Sequence, residues 1–274
     1  LDAALMPLIA CFRHRDMSVS KAAHLLLLAG TIEAREMASH LAKLSANHPG
    51  IRVTASLAGI TTRPAPLDVV TRIGGFGGVA GLTDWMISET VTLTIDMTHP
   101  YAAQMSAHAA QAALSAGAEL VLYQRPPWQP EPLDDWRYFE SWQEMIDAAP
   151  AGAHIFAAGG SKMLSASQWR DDITITARAL VRPDGVPGYV KMLLSLPHHT
   201  VAEEEALLRA HQISHIFCKN SGGTAARAKI DAARSLGLPV WMLARPSAPD
   251  LQHCHDIGEV LSIIDAHLAG MNAD

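Results

Sequence analysis

The chain of 274 residues has a formal net charge of −6, and 49% of its residues are hydrophobic while 18% are charged. This composition allows one large domain or two small ones with a substantial core, and the acidic balance argues against a general nucleic-acid binder. No apolar run reaches the roughly 18 residues of a membrane-spanning helix, so no membrane partner is predicted. The three cysteines, Cys11, Cys218 and Cys254, are widely spaced, which indicates a reducing, cytoplasmic setting without a disulfide framework.

Strand and helix signals alternate through the first half of the chain. Residues 1–23 are predicted to be an N-terminal extension, because their charges follow the apolar stretch, the reverse of a signal peptide. Short apolar runs predict strands over 24–30, 51–59, 91–100 and 118–126. Helical spacing of Ala and Leu predicts helices over 33–44 and 102–117, the second closed by Gly117.

The second half repeats this alternation, with strands predicted over 154–162, 215–217 and 237–246 and helices over 200–210 and 224–237. An offset of 120 residues aligns "GAELVLYQRP" at 117–126 with "GLPVWMLARP" at 237–246, and "THPY" at 98–101 with "CKNS" at 218–221. The pattern predicts an α/β protein with two Rossmann-like parallel-sheet domains, 24–125 and 126–274, joined within 125–142. Ligands of such sheets bind beyond the carboxyl ends of the strands, here in a cleft between the domains.

Two loops of the first half are candidates for a nucleotide. In "LLLLAGTIEAR" a strand, Gly30, a hydroxyl and a helix start can present backbone N–H groups to a phosphate, although an ordinary strand-to-helix turn explains the motif equally well. The next strand ends in "SLAGITTRP", which has hydroxyls and Arg63 but lacks the acid that holds the ribose of NAD. This favours the 2′-phosphate of NADP, unless Arg63 is only a surface residue.

Three further segments carry candidate chemistry. Residues 74–81 of "RIGGFGGVAGL" include five glycines, which indicates either close approach of a ligand or a flexible loop. In "DMTHPYAAQ", Asp96 and His99 lie at a predicted strand end. "CKNSGGTAARAK" lacks the spacing of a Walker A phosphate loop. The remaining histidines lack partners at metal-ligand spacing, so no metal site is predicted.

Together these segments resemble one family, the precorrin-6A reductases of corrin-ring biosynthesis. The resemblance runs from Leu25 to about Pro246 and includes "DMTHPYAAQMSAHA" and "KNSGGTAARAKIDAARSLGLPV". It implies a two-domain enzyme, a monomer or weak oligomer, that uses NADPH to reduce one ring double bond of a polycarboxylate tetrapyrrole, converting precorrin-6A to precorrin-6B. The sequence leaves open whether the substrate is metal-free or carries cobalt.

The patterns and the resemblance together assign residues to roles. Lys219 is the preferred proton source and His99 the second candidate. Arginines, with their bidentate fork, are available for the substrate carboxylates: Arg63, Arg72, Arg125, Arg182 and Arg245. The residues predicted to hold NADPH are Gly30, Thr31, Glu33, Ala34, Arg35, Ser56, Gly59, Thr61, Thr62, Arg63, Gly74, Gly75, Phe76 and Gly77. The residues predicted to face the substrate are Asp96, Thr98, Tyr101, Asn220, Ser221, Gly222 and Gly223.

Three other functions remain compatible with the sequence. They are an NADP-dependent reductase of another planar substrate, a nucleotide-sensing protein without turnover, and a glycosyltransferase-like enzyme with two Rossmann-like domains. Short-chain-dehydrogenase chemistry is excluded, because no tyrosine of the chain is followed by Lys four residues later.

Overall fold

The computed structural model describes residues 22–59, 65–166, 168–251 and 253–271. Its strands are β1 (Ala23–Leu28), β2 (Ile51–Leu57), β3 (Val70–Ile73), β4 (Leu93–Asp96), β5 (Glu119–Tyr123), β6 (Trp136–Phe139), β7 (His154–Ala158), β8 (Thr174–Ala179), β9 (Lys191–Leu194), β10 (His215–Lys219), β11 (Val240–Leu243) and β12 (His253–Cys254). Its helices are α1 (Ile32–Asn47), α2 (Gly78–Ser88), α3 (Ala103–Ala116), α4 (Trp142–Ala148), α5 (Ser161–Ala166), α6 (Val201–Ala210), α7 (Ala228–Leu236) and α8 (Ile257–Met271).

The strands form two six-stranded sheets, ordered β12-β5-β4-β1-β2-β3 and β6-β11-β10-β7-β8-β9. All strand pairs within them are parallel. The predicted α/β class with two Rossmann-like parallel sheets is therefore confirmed. The expected extension 1–23 lies almost wholly outside the described residues, and its last residue, Ala23, instead opens β1.

The all-apolar sequence of β1 explains why the first sheet is covered on both faces. All six residues of this strand are buried, and successive side chains of a strand point to opposite faces. Leu25 and Leu27 pack with α1 and α8 on one face, whereas Leu26 and Leu28 pack with α2 and α3 on the other. The second sheet is built in the same way, with its two faces buried in separate apolar clusters.

The 120-residue repeat of the sequence is present in the structure. Helix α3 ends at Gly117 and α7 ends at Gly237, both in the left-handed conformation, with φ of 70° and 64°. Each cap N–H donates to the carbonyls three and four residues before it, as in a C-terminal helix cap. Each helix then leads into the strand beside the one that precedes it, β4 to β5 and β10 to β11.

The C-terminal segment corrects the predicted boundary of the second domain. Strand β12 pairs with β5, with His253 opposite Leu122, and α8 contributes Val260, Ile264 and Leu268 to the core of the first sheet. Residues 253–271 therefore belong to the first unit, and the expected span 126–274 is wrong at its end. The error arose because the prediction followed the order of the chain, and a two-residue strand carries little sequence signal.

Candidate active site

The carboxyl ends of the two sheets face each other and touch through the loops after β4 and β10. The His99 Nε2 atom lies 3.2 Å from the Ser221 hydroxyl. The Tyr101 hydroxyl donates to the carbonyl of Leu243 at 2.5 Å and accepts from the Asn220 N–H at 3.0 Å. The repeated loops thus meet between the two sheets, as the sequence repeat predicted, and the region around this contact is called the cleft below.

The loop between β1 and α1 is fixed by Thr31. Its hydroxyl caps α1 by accepting the Ala34 N–H at 3.1 Å, and it donates to the Met97 carbonyl at 3.0 Å. Gly30 is exposed, and Ala34 is buried in the core beneath the helix. The exposed start of a helix next to Gly30 leaves backbone N–H groups and the positive end of the helix dipole at the cleft.

The second part of this face lies at the ends of β2 and β3. Ser56 is buried and lies opposite Leu28 on β1 and Arg72 on β3. Arg35 reaches away from α1 and donates to the carbonyl of Pro66 at 2.7 Å. The predicted contacts Thr61, Thr62 and Arg63 lie outside the described residues.

The glycine-rich loop has a defined set of contacts. Arg72 donates to the carbonyls of Gly74 and Gly75 at 2.6 and 2.7 Å. Its guanidinium also lies 3.8 Å from the centre of the Phe76 ring, which in turn packs edge-on against Trp85. Arg72, considered for substrate carboxylates from the sequence, is thus bound to the loop itself.

Glycine is needed in this loop for two different reasons. Gly74 and Gly77 of the loop have φ of 111° and 84°, and Gly59 after the neighbouring β2 has φ of 74°, all in the range that favours glycine. Gly81 lies inside α2, where a Cβ would come within 1.8 Å of the Phe76 carbonyl oxygen. The glycines therefore shape the backbone at the start of α2.

Asp96 and Thr98 form a buried polar pair at the end of β4. The Asp96 Oδ1 atom accepts the Thr98 N–H at 3.0 Å. The other carboxylate oxygen of Asp96 and the hydroxyl of Thr98 are buried without a hydrogen-bond partner among the described residues. Buried polar atoms of this kind are normally paired, so the pair is suited to a ligand or water in the cleft.

His99 is a neutral imidazole in a cationic setting. Its Nδ1 atom accepts the Tyr101 N–H at 3.2 Å, so Nε2 carries the proton and faces Ser221. Burial, followed by the charges of Arg125, Lys219, Arg245 and Lys229, lowers the pKa of His99 from 6.5 to about 3. The site therefore concentrates positive charge, although the chain as a whole has a net charge of −6.

Lys219 and Tyr101 lie side by side at the cleft. The half-buried Lys219 ammonium lies 5.4 Å from the centre of the Tyr101 ring. Burial raises the pKa of Tyr101 to about 12, so its hydroxyl stays protonated and holds the Leu243 carbonyl. Tyr101 thus joins the two loops and presents its ring to Lys219.

Asn220, Gly222 and Gly223 contact other parts of the protein rather than an open site. The buried Asn220 carboxamide accepts the Trp128 N–H at 2.8 Å and donates to the Trp128 carbonyl at 3.0 Å. A Cβ at Gly222 would lie 2.1 Å from the Pro126 carbonyl oxygen, and one at Gly223 would lie 3.0 Å from the Arg125 side chain. These three residues pack the loop onto the segment that joins the two sheets.

Arg125 and Trp128, between β5 and β6, and Arg245, after β11, make hydrogen bonds that the sequence did not predict. Arg125 donates from Nε to the Ser221 carbonyl at 2.7 Å, and Arg245 donates from Nε to the Asn220 carbonyl at 2.8 Å. Arg245 also donates to the carbonyl of Arg125 at 2.9 Å, and the Trp128 indole donates to the Gly223 carbonyl at 2.7 Å. The Arg-Pro pair at the end of each repeat marked the positions of both arginines in the sequence. It did not indicate which groups they bind.

Comparison with known proteins gives the family. The family model of the precorrin-6x reductase CbiJ/CobK matches residues 24–265. The chain belongs to the precorrin-6x reductase family. It is therefore an oxidoreductase of the precorrin-6A reductase type, as the motifs at the two cleft loops indicated.

Individual relatives agree with this assignment. The chain is 37% identical over 247 residues to "Precorrin-6A reductase" of Rhodobacter capsulatus, covering 89% of this chain and 96% of the relative. It is 38% identical over 227 residues to the protein of that name from Rhodococcus erythropolis, covering 82% and 90% of the two chains. The solved structure "CobK precorrin-6A reductase" superposes with a TM-score of 0.78 at 37% identity, covering 89% of this chain and 97% of that one. A "Cobalt-precorrin-6A reductase" of Priestia megaterium is more distant, at 27% identity over 241 residues.

Proposed function

We propose that this protein reduces one ring double bond of metal-free precorrin-6A to give precorrin-6B, with NADPH as the reductant, in the cytoplasmic synthesis of cobalamin. The observation that carries the proposal is the position of Lys219 and Arg245 near neutral His99 at the contact between the sheets, with the ion-paired Arg125 close by. A polycarboxylate ring is the kind of substrate that such a site favours, because opposite charges attract strongly where water is partly excluded.

The residues of the first sheet fit a dinucleotide. Exposed Gly30 and the capped start of α1 offer N–H groups to a diphosphate, and the loop at Gly74–Gly77 offers backbone at three glycines for close approach of the cofactor. These residues, with Ser56 and Gly59, would hold the cofactor, and Arg63 would contact its 2′-phosphate. When bound, NADPH supplies the hydride that one carbon of the double bond accepts.

The second half of the reaction is the delivery of a proton to the neighbouring carbon. We assign this to Lys219, directly or through water, because its ammonium lies at the meeting point of the two loops. His99 is less suited to donate a proton, because at neutral pH its imidazole is uncharged. Its Nε2–H instead orients Ser221, and the pair Asp96 and Thr98 offers further polar contacts to the substrate.

The function is tested by following NADPH oxidation at 340 nm while the absorption spectrum of precorrin-6A is recorded in parallel. We expect equimolar loss of NADPH and precorrin-6A, with NADH much less effective. Cobalt-precorrin-6A serves as the second substrate and is expected to react more slowly. Binding of NADPH without turnover of either tetrapyrrole would contradict the proposal and favour a nucleotide-sensing protein. Equal use of NADH and NADPH would contradict the role of Arg63.

A further inference from the structure

Glu33 and Arg125 form an ion pair that connects three parts of the molecule. Glu33 lies in the first turn of α1, two residues after the cap Thr31. Both of its carboxylate oxygens accept from the Arg125 Nη1 atom, at 3.2 and 3.0 Å. The side chains are only 19% and 9% exposed. This pair is therefore well shielded from water, unlike the exposed pairs that contribute little to a protein.

Arg125 uses its other face to hold the loop after β10. Its Nε donates to the Ser221 carbonyl at 2.7 Å, and the hydroxyl of the same Ser221 lies 3.2 Å from His99. A Cβ at Gly223 would lie 3.1 Å from a Glu33 carboxylate oxygen, so the loop packs directly on the ion pair. One arginine thus contacts both the α1 turn and the loop that carries Lys219.

The charge of Glu33 would oppose a phosphate if the residue were alone. An anion at the start of a helix is favoured by the N–H groups there, but a carboxylate in the same turn repels it. Arg125 neutralises that carboxylate. Glu33, predicted from the sequence to contact the cofactor, is in the structure bonded to Arg125 instead.

We propose that the Glu33–Arg125 pair is a positioning device that allows a dinucleotide phosphate to bind at α1 and, through the Ser221 carbonyl, sets the substrate loop for reaction. This inference rests on the proposed function. Beyond that function, Arg125 has two separable effects. Its charge affects the affinity for NADPH, and its Nε–H affects turnover.

The test separates the two effects with four variants: Glu33→Gln, Arg125→Gln, Arg125→Lys and the double variant Glu33→Gln/Arg125→Gln. The Kd of NADPH is measured by titrating its fluorescence without substrate, and kcat is measured with precorrin-6A. Arg125→Gln is expected to raise the Kd at least tenfold and to lower kcat at least tenfold. The double variant is expected to recover the Kd to within threefold of wild type while kcat stays low.

The conservative variants complete the design. Arg125→Lys keeps the charge but lacks the Nε–H, so it is expected to bind NADPH within threefold of wild type and to turn over slowly. Glu33→Gln removes the carboxylate that opposes the phosphate while Arg125 keeps its charge and its Ser221 contact, so its Kd for NADPH is expected to fall below that of wild type. Arg52→Gln removes an exposed ion pair with Glu89 at the opposite end of the sheet and serves as the matched control, with both constants unchanged.

A double variant that binds NADPH as weakly as Arg125→Gln would overturn the charge effect, and recovery of kcat together with the Kd would overturn the contact effect. If Arg125→Gln fails to fold, Arg125→Lys and the double variant still carry the test. Wild-type protein that neither binds NADPH nor reduces precorrin-6A would instead contradict the proposed function. Wild-type activity with unchanged variants would contradict this inference alone.

Discussion

Lys219 and His99, 120 positions apart in the repeat and close together in the cleft, show how position decides chemistry. Both were candidates for the proton donor from their motifs and the family resemblance. Their surroundings differ in the structure, because burial and nearby cations lower the pKa of His99 and its Nδ1 accepts a backbone N–H. Neither the tautomer nor the surrounding cations were evident from the sequence. Asn220 is a similar case, since its carboxamide is bonded to Trp128, a partner 92 residues away.

The proposed role of Lys219 as the proton donor predicts a selective loss of turnover. Lys219→Ala is expected to lower kcat by about 10²- to 10⁴-fold, the range for removal of a general acid, while the Kd of NADPH stays within threefold of wild type. Stopped-flow NADPH oxidation with saturating precorrin-6A measures the loss. Lys191→Ala, at an exposed residue of β9, is the control and should keep full activity. Wild-type kcat in Lys219→Ala would remove this residue from the proton path.

The low pKa of His99 predicts a dependence of stability on pH. In the unfolded chain a histidine takes up its proton near pH 6.5, whereas burial lowers the pKa of folded His99 to about 3. As the pH falls through this window, the unfolded state binds the proton and the folded state does not. The free energy of unfolding therefore decreases as the pH is lowered, and this group accounts for at most about 1.4 kcal/mol per pH unit.

His99→Gln should remove this part of the acid sensitivity. Urea unfolding of wild type and variant at pH 7, 5.5 and 4.5 measures the difference, and the wild type is expected to lose more stability than the variant at each step down. Equal pH slopes for wild type and His99→Gln would show that His99 takes up its proton normally in the folded protein.

At the scale of the elements, prediction succeeded where local sequence decides the structure. The apolar run of β1 and the glycine after α3 act within their own segments, so both were found. Strand β3 is only partly buried, and β12 has two residues and pairs with a strand about 130 positions earlier. Strands this short, paired with distant parts of the chain, show no hydrophobic periodicity in the sequence from which they could be predicted. The sequence predicted no helix in the glycine-rich segment, yet helix α2 begins at Gly78.

Helix α2 gives a prediction about that segment. Gly81→Ala would bring a Cβ within 1.8 Å of the Phe76 carbonyl oxygen, so the backbone at the start of α2 must move. The expected loss in the free energy of unfolding is about 1–3 kcal/mol, as for other overpacked sites, with a weaker Kd for NADPH. Calorimetry and NADPH titration measure the two effects.

Gly270→Ala is the matched control, because a Cβ at that helical glycine meets nothing within 4 Å. Its free energy of unfolding should change by less than about 1 kcal/mol, the usual difference between Gly and Ala in a helix. An unchanged melting temperature and NADPH affinity in Gly81→Ala would mean that the backbone of α2 adapts without cost and that the glycine is not required there.

At the scale of the whole molecule, two segments join the sheets, one between β5 and β6 and one between β11 and β12. Both contribute residues to the contact between the sheets: Arg125 and Trp128 from the first, and Arg245 from the second. The sequence predicted one joining segment, 125–142, because it treated each half as continuous. The second follows from the position of β12 and α8 in the first sheet.

Helix α8 should therefore support the first sheet as a core element. Ile264 is 1% exposed and packs in the cluster that covers β1 and β2. Ile264→Ala is expected to cost roughly 2–5 kcal/mol of unfolding free energy, as for other fully buried Ile residues. Leu114→Ala, at a side chain that is 85% exposed, should change it by less than about 0.5 kcal/mol. Equal effects of both substitutions would mean that α8 is not part of the core.

The return of α8 to the first sheet also sets an order of completion during synthesis. The six strands of the second sheet, β6 to β11, are continuous in the chain, so every partner they need has left the ribosome once residue 243 is exposed. The first sheet begins earlier but lacks β12 and α8 until residues 253–271 are made. Although N-terminal domains usually fold first, here the unit that begins first is completed after all strands of the second sheet have been made, and the edge of β5 lacks its partner until then.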